Sequence, residues 1–167
     1  IILPTSDEFT PNDWRVYFWI SDDDGKTWSR TPYVNQEGEI GGIQPSILIH
    51  KNGDLQAVGR TPRDVGFIYQ TWSRDGGKTW GKLTSTGLPN PNSGTDALTL
   101  HDGRHILVYN HTQNWKIRSP LNVAVSSDGM RWKPALVLED ATAEFSYPAV
   151  VQRKNGLVDI TYTNRRK

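Results

Sequence analysis

The sequence predicts an all-β fold of repeated four-stranded antiparallel blades, the unit of a β-propeller. The main observation is an octapeptide, Ser-Arg-Asp-Gly-Gly-Lys-Thr-Trp at 73–80, with similar copies at 21–28 and, one residue shorter, at 126–132. The aspartates of successive copies lie 52 and 53 residues apart, within the range of propeller repeats. Seven Trp, six Tyr, fifteen Gly and ten Pro also favour strands joined by turns.

Each octapeptide is predicted to form a hairpin turn. Its Ser and Asp can bond to backbone N–H groups, its Gly can adopt positive φ, and its Trp is an apolar anchor. Such turns lie at the outer rim of a propeller, so we predict a structural role for this motif. Chemistry is expected at the opposite ends of the strands, where several blades converge on the axis.

Strands are predicted where apolar residues alternate between turns. Residues 1–13 are predicted to be a strand end followed by a loop, Trp14–Ile20 a strand buried on both faces, and 34–43 a connection between blades. The other predicted strands are 28–31, 44–49, 55–59, 66–72, 80–84, 96–100, 106–109, 121–125, 135–138, 147–151 and 158–162.

These strands divide the chain into a half blade at 1–33, whole blades at 43–85 and 94–140, and a half blade at 145–167. A closed propeller typically has at least four blades. We therefore expect a missing N-terminal part of the chain, or a second copy, to complete the ring. Without it, the half blades are expected to expose unpaired sheet edges.

Aligning the hairpin glycines at 53, 103 and 156 predicts which residues occupy equivalent positions. Gln44 and Tyr147 each lie nine residues before their glycine, at the start of a first strand. Asp96 lies seven before Gly103, and we assign it to the same position by a two-residue shortening. The ends of the second strands, seven residues after each glycine, are Arg60, Asn110 and Thr163.

Composition excludes several classes of function. The net charge is +1, from 19 basic and 18 acidic residues, so neither nucleic acid nor an anionic membrane is expected as a partner. The absence of cysteine excludes disulfides, thiolate metal sites and a cysteine nucleophile, and leaves the compartment undecided. No apolar run approaches the roughly 18 residues of a membrane helix.

Two short motifs suggest other sites. Asp22-Asp23-Asp24-Gly25 weakly matches a calcium loop, but the twelfth position is Tyr33 where an EF-hand needs Glu, so an EF-hand is rejected. Asn110-His111-Thr112 is a glycosylation sequon.

The octapeptides resemble the Asp-box, or BNR, repeats of the sialidase (neuraminidase) superfamily. Three longer segments, Ile43–Ser46, Pro89–Asp96 and Phe145–Ala149, resemble its BNR sialidase-like branch. The resemblance covers essentially the whole chain. It implies a six-bladed propeller, of which this chain would be roughly the C-terminal half.

The resemblance also implies an exo-glycoside hydrolase that removes a terminal acidic sugar, sialic acid or a uronate-like residue, without a cofactor. Sialidases of the superfamily hold the substrate carboxylate with three arginines and use a tyrosine nucleophile helped by a glutamate, with an aspartate as acid/base. Guanidinium groups can bind a carboxylate bidentately, and a neutral nucleophile avoids repulsion from an anionic sugar. A non-catalytic propeller that binds glycans or a protein, and a lyase acting on acidic glycans, remain alternatives.

The resemblance assigns roles to particular residues. Tyr147, in Phe-Ser-Tyr-Pro, matches the nucleophile position, Glu144 in the preceding loop could activate it, and Asp96 matches the place of the helper glutamate. The expected substrate-binding residues are Arg60, Gln44, Asn110, Arg118 and Arg165. The family's Arg-Ile-Pro motif and its aspartate acid/base are not found in this sequence.

Overall fold

The structure, a computed structural model, describes residues 1–165, which form thirteen strands and no helix. The strands are β1 (Ile2–Glu8), β2 (Trp14–Ile20), β3 (Ser29–Arg30), β4 (Ile43–Ile49), β5 (Leu55–Arg60), β6 (Phe67–Ser73), β7 (Thr84–Pro89), β8 (Asp96–Thr99), β9 (His105–Asn110), β10 (Leu121–Ser126), β11 (Lys133–Glu139), β12 (Phe145–Gln152) and β13 (Val158–Asn164). The predicted all-β class is confirmed. No helix able to cross a membrane occurs in this described part of the chain.

The strands form four antiparallel sheets. The first sheet has the order β1-β2-β3, the second β4-β5-β6-β7, the third β8-β9-β10-β11, and the fourth β12-β13. The second and third are the four-stranded units predicted from the repeat. Residues 1–165 do not close into a ring, and the expected number of six blades remains a prediction.

The core lies in three apolar clusters between neighbouring sheets. Alternation along β5 sends Ala57 into the cluster shared with the first sheet and Val58 into the cluster shared with the third. Phe145 and Val150 of β12 join a third cluster, against the third sheet. Strands with both faces buried explain the nearly continuous apolar runs in the sequence.

The octapeptide turns are built as the sequence predicts. The Ser73 hydroxyl donates to Asp75 at 2.8 Å and accepts from the backbone N–H of Gly77 at 2.9 Å. Asp75 also accepts from the Thr79 hydroxyl at 2.6 Å and from its backbone N–H at 2.9 Å. The Thr79 hydroxyl, its backbone N–H and Ser73 together lower the pKa of Asp75 to about 2. Asp75 therefore acts as a fixed acceptor within the turn.

Two segments differ from the sequence prediction. Residues 2–8, expected to end as a loop, form the complete strand β1, which pairs along its whole length with β2. Residues 1–33 therefore supply three strands rather than a half blade. In the second sheet, β7 begins at Thr84 and not at Trp80, although the backbone N–H of Gly81 bonds to the Trp72 carbonyl across the hairpin.

Candidate functional site

Gln44 and Tyr147 occupy equivalent positions, as the alignment of the turns predicts. Each precedes a proline, has positive φ (+52° and +49°), and lies where pairing with the next strand skips two residues. This conformation is rare outside glycine and costs about 1–3 kcal/mol. The two side chains meet beside Gly94, where an added Cβ would lie 3.0 Å from Tyr147 Cδ1 and 3.5 Å from Gln44 Oε1.

Asp96 does not share this position, so the two-residue shortening assumed from the sequence is wrong. β8 pairs Asp96 at the level of Ser46, two residues further along the strand than Gln44, and the position beside Tyr147 belongs to Gly94. The Asp96 carboxylate accepts from the Ser46 hydroxyl and from the backbone N–H of Val150, both at 2.8 Å. Its carboxylate therefore links strands β4, β8 and β12 by hydrogen bonds and does not assist Tyr147.

Two arginines lie close to the ring of Tyr147, a residue that is 42% exposed. The guanidinium carbon of Arg118 lies 5.3 Å from the centre of its ring, and that of Arg60 lies 6.0 Å away. The pKa of Tyr147 is lowered, chiefly because its hydroxyl interacts with the Arg118 side chain and also because both guanidinium groups are positive, while burial acts in the opposite direction. A tyrosine so placed forms the nucleophilic phenolate more readily.

Arg60 ends β5 and is almost completely buried. Its pKa is lowered by burial, although Tyr147 and Glu8 partly counteract this. One guanidinium nitrogen donates to the backbone carbonyl of Asn92 at 3.4 Å, and Nε has no hydrogen-bond partner among residues 1–165. A desolvated guanidinium is stabilised by an anion that comes close to it.

Arg118 lies in the loop before β10 and pairs with Glu144. Their charged atoms are 3.2 Å apart, and the Ser146 hydroxyl donates to the same carboxylate oxygen at 2.9 Å. Glu144 therefore reaches the candidate site, as predicted, but its described contacts are with Arg118 and Ser146. Activation of Tyr147 by Glu144 stays a prediction.

A cavity of about 790 Å³ opens beside Tyr147, a volume typical of small-molecule sites. Its lining comes from the loops before β10 and β12: Trp115, Lys116, Ile117, Arg118, Ser119, Pro120, Asp140, Thr142, Ala143, Glu144 and Tyr147. Sequence reasoning missed Trp115, which is 51% exposed on this rim with Arg63 5.3 Å from its ring. A tryptophan in a polar loop outside the octapeptides was the available signal. Within residues 1–165, no group of three or more His, Asp or Glu could hold a metal ion.

Two predicted substrate-binding residues have other surroundings. Asn110 is fully buried and its amide is bonded on both sides, so a ligand cannot reach it and that prediction is wrong. The same burial prevents its sequon from carrying a glycan on the folded chain. Arg165 is exposed beyond β13, where its backbone N–H donates to the Glu144 carbonyl at 2.8 Å. A role for its guanidinium stays a prediction.

Comparisons with known proteins agree with the fold. The model of the BNR repeat-like domain family matches residues 1–160. A protein of unknown function from Dyadobacter fermentans is 25% identical with a TM-score of 0.74, over 97% of this chain and 44% of that one. The Streptococcus pneumoniae NanB sialidase and the leech intramolecular trans-sialidase are each 18% identical with a TM-score of 0.75, over 96% of this chain and 25% of theirs. No curated protein matches. The chain thus spans less than half of each of these structures.

Proposed function

The chain belongs to the BNR repeat-like domain family, a sialidase-like family, and we propose that it contributes to an exo-glycoside hydrolase that removes a terminal acidic sugar. The observation that carries the proposal is Tyr147 at the edge of the cavity with the guanidinium groups of Arg60 and Arg118 close to its ring. A nucleophile beside two cations suits a substrate whose carboxylate must be bound next to the bond that breaks.

In the proposed reaction, Arg60 and Arg118 bind the sugar carboxylate and Tyr147 attacks the anomeric carbon. A bond forms between the phenol oxygen and that carbon while the phenol proton passes to a base, the role proposed for Glu144, and the glycosidic C–O bond breaks as the leaving oxygen takes up a proton from an acid. Water then attacks the same carbon and gives a proton to the conjugate base of that acid, while the bond to Tyr147 breaks and its oxygen takes back the proton from Glu144. This is the two-step course of glycosidases with a covalent intermediate.

Arg60 supports selectivity for acidic sugars. Glu144 already neutralises part of the Arg118 charge, whereas nearly buried Arg60 forms no ion pair with the described residues 1–165. A ligand carboxylate can bind Arg60 and share Arg118 with Glu144. A neutral sugar would leave the buried Arg60 guanidinium without an anion, which is unfavourable in a desolvated site.

A second candidate is a propeller that binds acidic glycans without cleaving them. Gly94 favours it, because the position beside Tyr147 in the third sheet carries no carboxylate to help the nucleophile. Asp96, the residue expected to fill that role, is bonded to Ser46 and Val150. Both candidates bind an acidic sugar and differ only in turnover.

The test uses the protein at its full natural length with fluorogenic glycosides of sialic, glucuronic and galacturonic acid, and of neutral galactose. We expect turnover of an acidic glycoside only, and Tyr147→Phe is expected to lower kcat by about 10³-fold or more with little change in binding of the free sugar. Tyr33→Phe is the matched control, since it removes a hydroxyl bonded to a carboxylate (Asp7, 2.7 Å) outside the site.

The outcomes separate the candidates. Binding of a free acidic sugar that is lost in Arg60→Met, without turnover of any glycoside, would establish the binding propeller. A folded protein that neither binds an acidic sugar nor cleaves a glycoside would rule out both candidate functions. Preference for the neutral glycoside would contradict the role given to the arginines.

A further inference from the structure

We propose that Asn110 is a positioning residue, which fixes the distance between the segment carrying Arg118 and the segment carrying Tyr147. Its contacts are independent of any activity, but their importance for catalysis rests on the function proposed above. The family resemblance implied that Asn110 is a substrate ligand, whereas the structure buries it completely.

The amide of Asn110 joins three separate segments. Its Nδ2 donates to the backbone carbonyl oxygens of Arg118 at 2.8 Å and Phe145 at 2.9 Å, with a longer contact to that of Pro120 at 3.3 Å. Its Oδ1 accepts from the Ser93 hydroxyl at 2.6 Å. One side chain therefore satisfies buried carbonyls of the Arg118 loop and of the strand that enters Tyr147.

The position of Asn110 in its sheet explains why an amide is needed there. Asn110 ends β9 as Arg60 ends β5, and in the second sheet the neighbouring strand β4 pairs with Arg60 through Ile43. In the third sheet β8 begins only at Asp96, so no innermost strand pairs with Asn110. Its inner side is contacted instead by Ser93 and by the carbonyl of Phe145.

The Arg118 guanidinium and the Tyr147 phenol both lie close to the hydrogen bonds of Asn110. Arg118 is itself one of the residues whose carbonyl Asn110 binds, and Tyr147 comes two positions after Phe145, the other. A direct bond from the Phe145 N–H to the Arg118 carbonyl, 3.0 Å, also joins the segments. Without the Asn110 amide, the Phe145 carbonyl loses its side-chain donor in a buried place, and unsatisfied buried groups drive local rearrangement. Arg118 and Tyr147 are then expected to separate.

The experiment compares Asn110→Ala with Gln56→Ala in the full-length protein. Gln56 is also a fully buried amide between the second and third sheets, with Nε2 bonded at 2.8 Å to Gln70 and to the Gly129 carbonyl, but it lies at the opposite end of β5 from Arg60. The ionisation of Tyr147 is followed by ultraviolet difference titration against the same protein carrying Tyr147→Phe. Binding of free N-acetylneuraminic and glucuronic acids is measured by calorimetry.

In Asn110→Ala we expect the pKa of Tyr147 to rise toward its ordinary value, and binding of the acidic sugar that the unmodified protein binds to weaken about tenfold. Gln56→Ala should change neither, although it lowers stability. A Tyr147 titration unchanged in folded Asn110→Ala, or shifted equally in Gln56→Ala, would overturn the proposal.

A second variant covers failure of Asn110→Ala to fold. Ser93→Ala removes the hydroxyl that donates to the amide oxygen, and it should shift the Tyr147 titration in the same direction by a smaller amount. No shift in Ser93→Ala would then overturn the proposal. Because the titration needs neither turnover nor ligand, a protein that lacks hydrolase activity still tests the positioning role.

Discussion

Acidification from pH 7 to 4.5 is expected to destabilise the fold through His105. This histidine begins β9, is 1% exposed, and lies with Nδ1 2.9 Å from the Thr99 hydroxyl. The ring of His50 is 4.3 Å away across the interface between the second and third sheets. Burial first, and His50 second, lower the pKa of His105 from 6.5 to about 4, while the Asp128 carboxylate acts in the opposite direction.

The sign follows from the direction of this shift. The unfolded chain takes up the proton near pH 6.5, whereas the folded chain does so only near pH 4. The contribution of His105 is therefore complete above pH 6.5, decreases steadily below that value, and is fully lost once the pH has fallen through about 4. Linkage gives a loss of about 2 kcal/mol in the free energy of unfolding by pH 4.5, which is a large part of the stability of a domain.

Guanidinium chloride unfolding at pH 7, 5.5 and 4.5 measures this loss. His105→Gln removes the titrating ring and should flatten the dependence between pH 7 and 4.5. His101→Gln, a change at an exposed turn of the same sheet, should leave it as in the unmodified protein. A dependence equally steep in His105→Gln would refute the reasoning, as would a loss that begins only below pH 4.

Two further predictions concern the sheets and their turns. In Gly59→Ala the new Cβ would lie 2.7 Å from the carbonyl oxygen of Ile43, so we expect the free energy of unfolding to fall by about 1–3 kcal/mol, measured in urea. Gly81→Ala meets a backbone oxygen only at 3.8 Å and should change it by less than about 0.5 kcal/mol. Asp75 has a lowered pKa of about 2, so its contribution is present above its unfolded pKa of 3.8 and is lost as the pH falls through 2. Thermal melting should show a weaker pH dependence between 4 and 2 in Asp75→Asn than in the control Asp22→Asn.

The repeat predicted the fold because its information is local. The Ser, Asp, Gly and Trp of each octapeptide satisfy one another within a few residues, so the turn forms in the same way in every sheet. Strand β1 was missed because its formation depends on pairing with another segment and not on its own residues. Thr5, Ser6 and Asp7 carry no apolar pattern, and they form a strand because the backbone of β2 pairs with them.

The site was predicted only in part. Aligning the turns correctly predicted that Gln44 and Tyr147 occupy equivalent positions, and the positive φ that they share confirms this prediction. Asp96 was misplaced because counting residues cannot distinguish a shortened strand from one that begins later. For Asn110, sequence position indicated the end of the strand, but it could not indicate that neighbouring segments would bury the amide.

The sequence by itself determined the all-β class, the position of the turns and the equivalence of Gln44 and Tyr147, because each of these depends on hydrogen bonds and periodicity within a few residues. The tertiary structure alone decided that Arg60 and Arg118 both lie near Tyr147, that Glu144 pairs with Arg118, and that the Asn110 amide bonds to the Arg118 carbonyl. Those contacts join residues from different sheets. They are set by how apolar clusters pack the sheets together, which no spacing along the chain records.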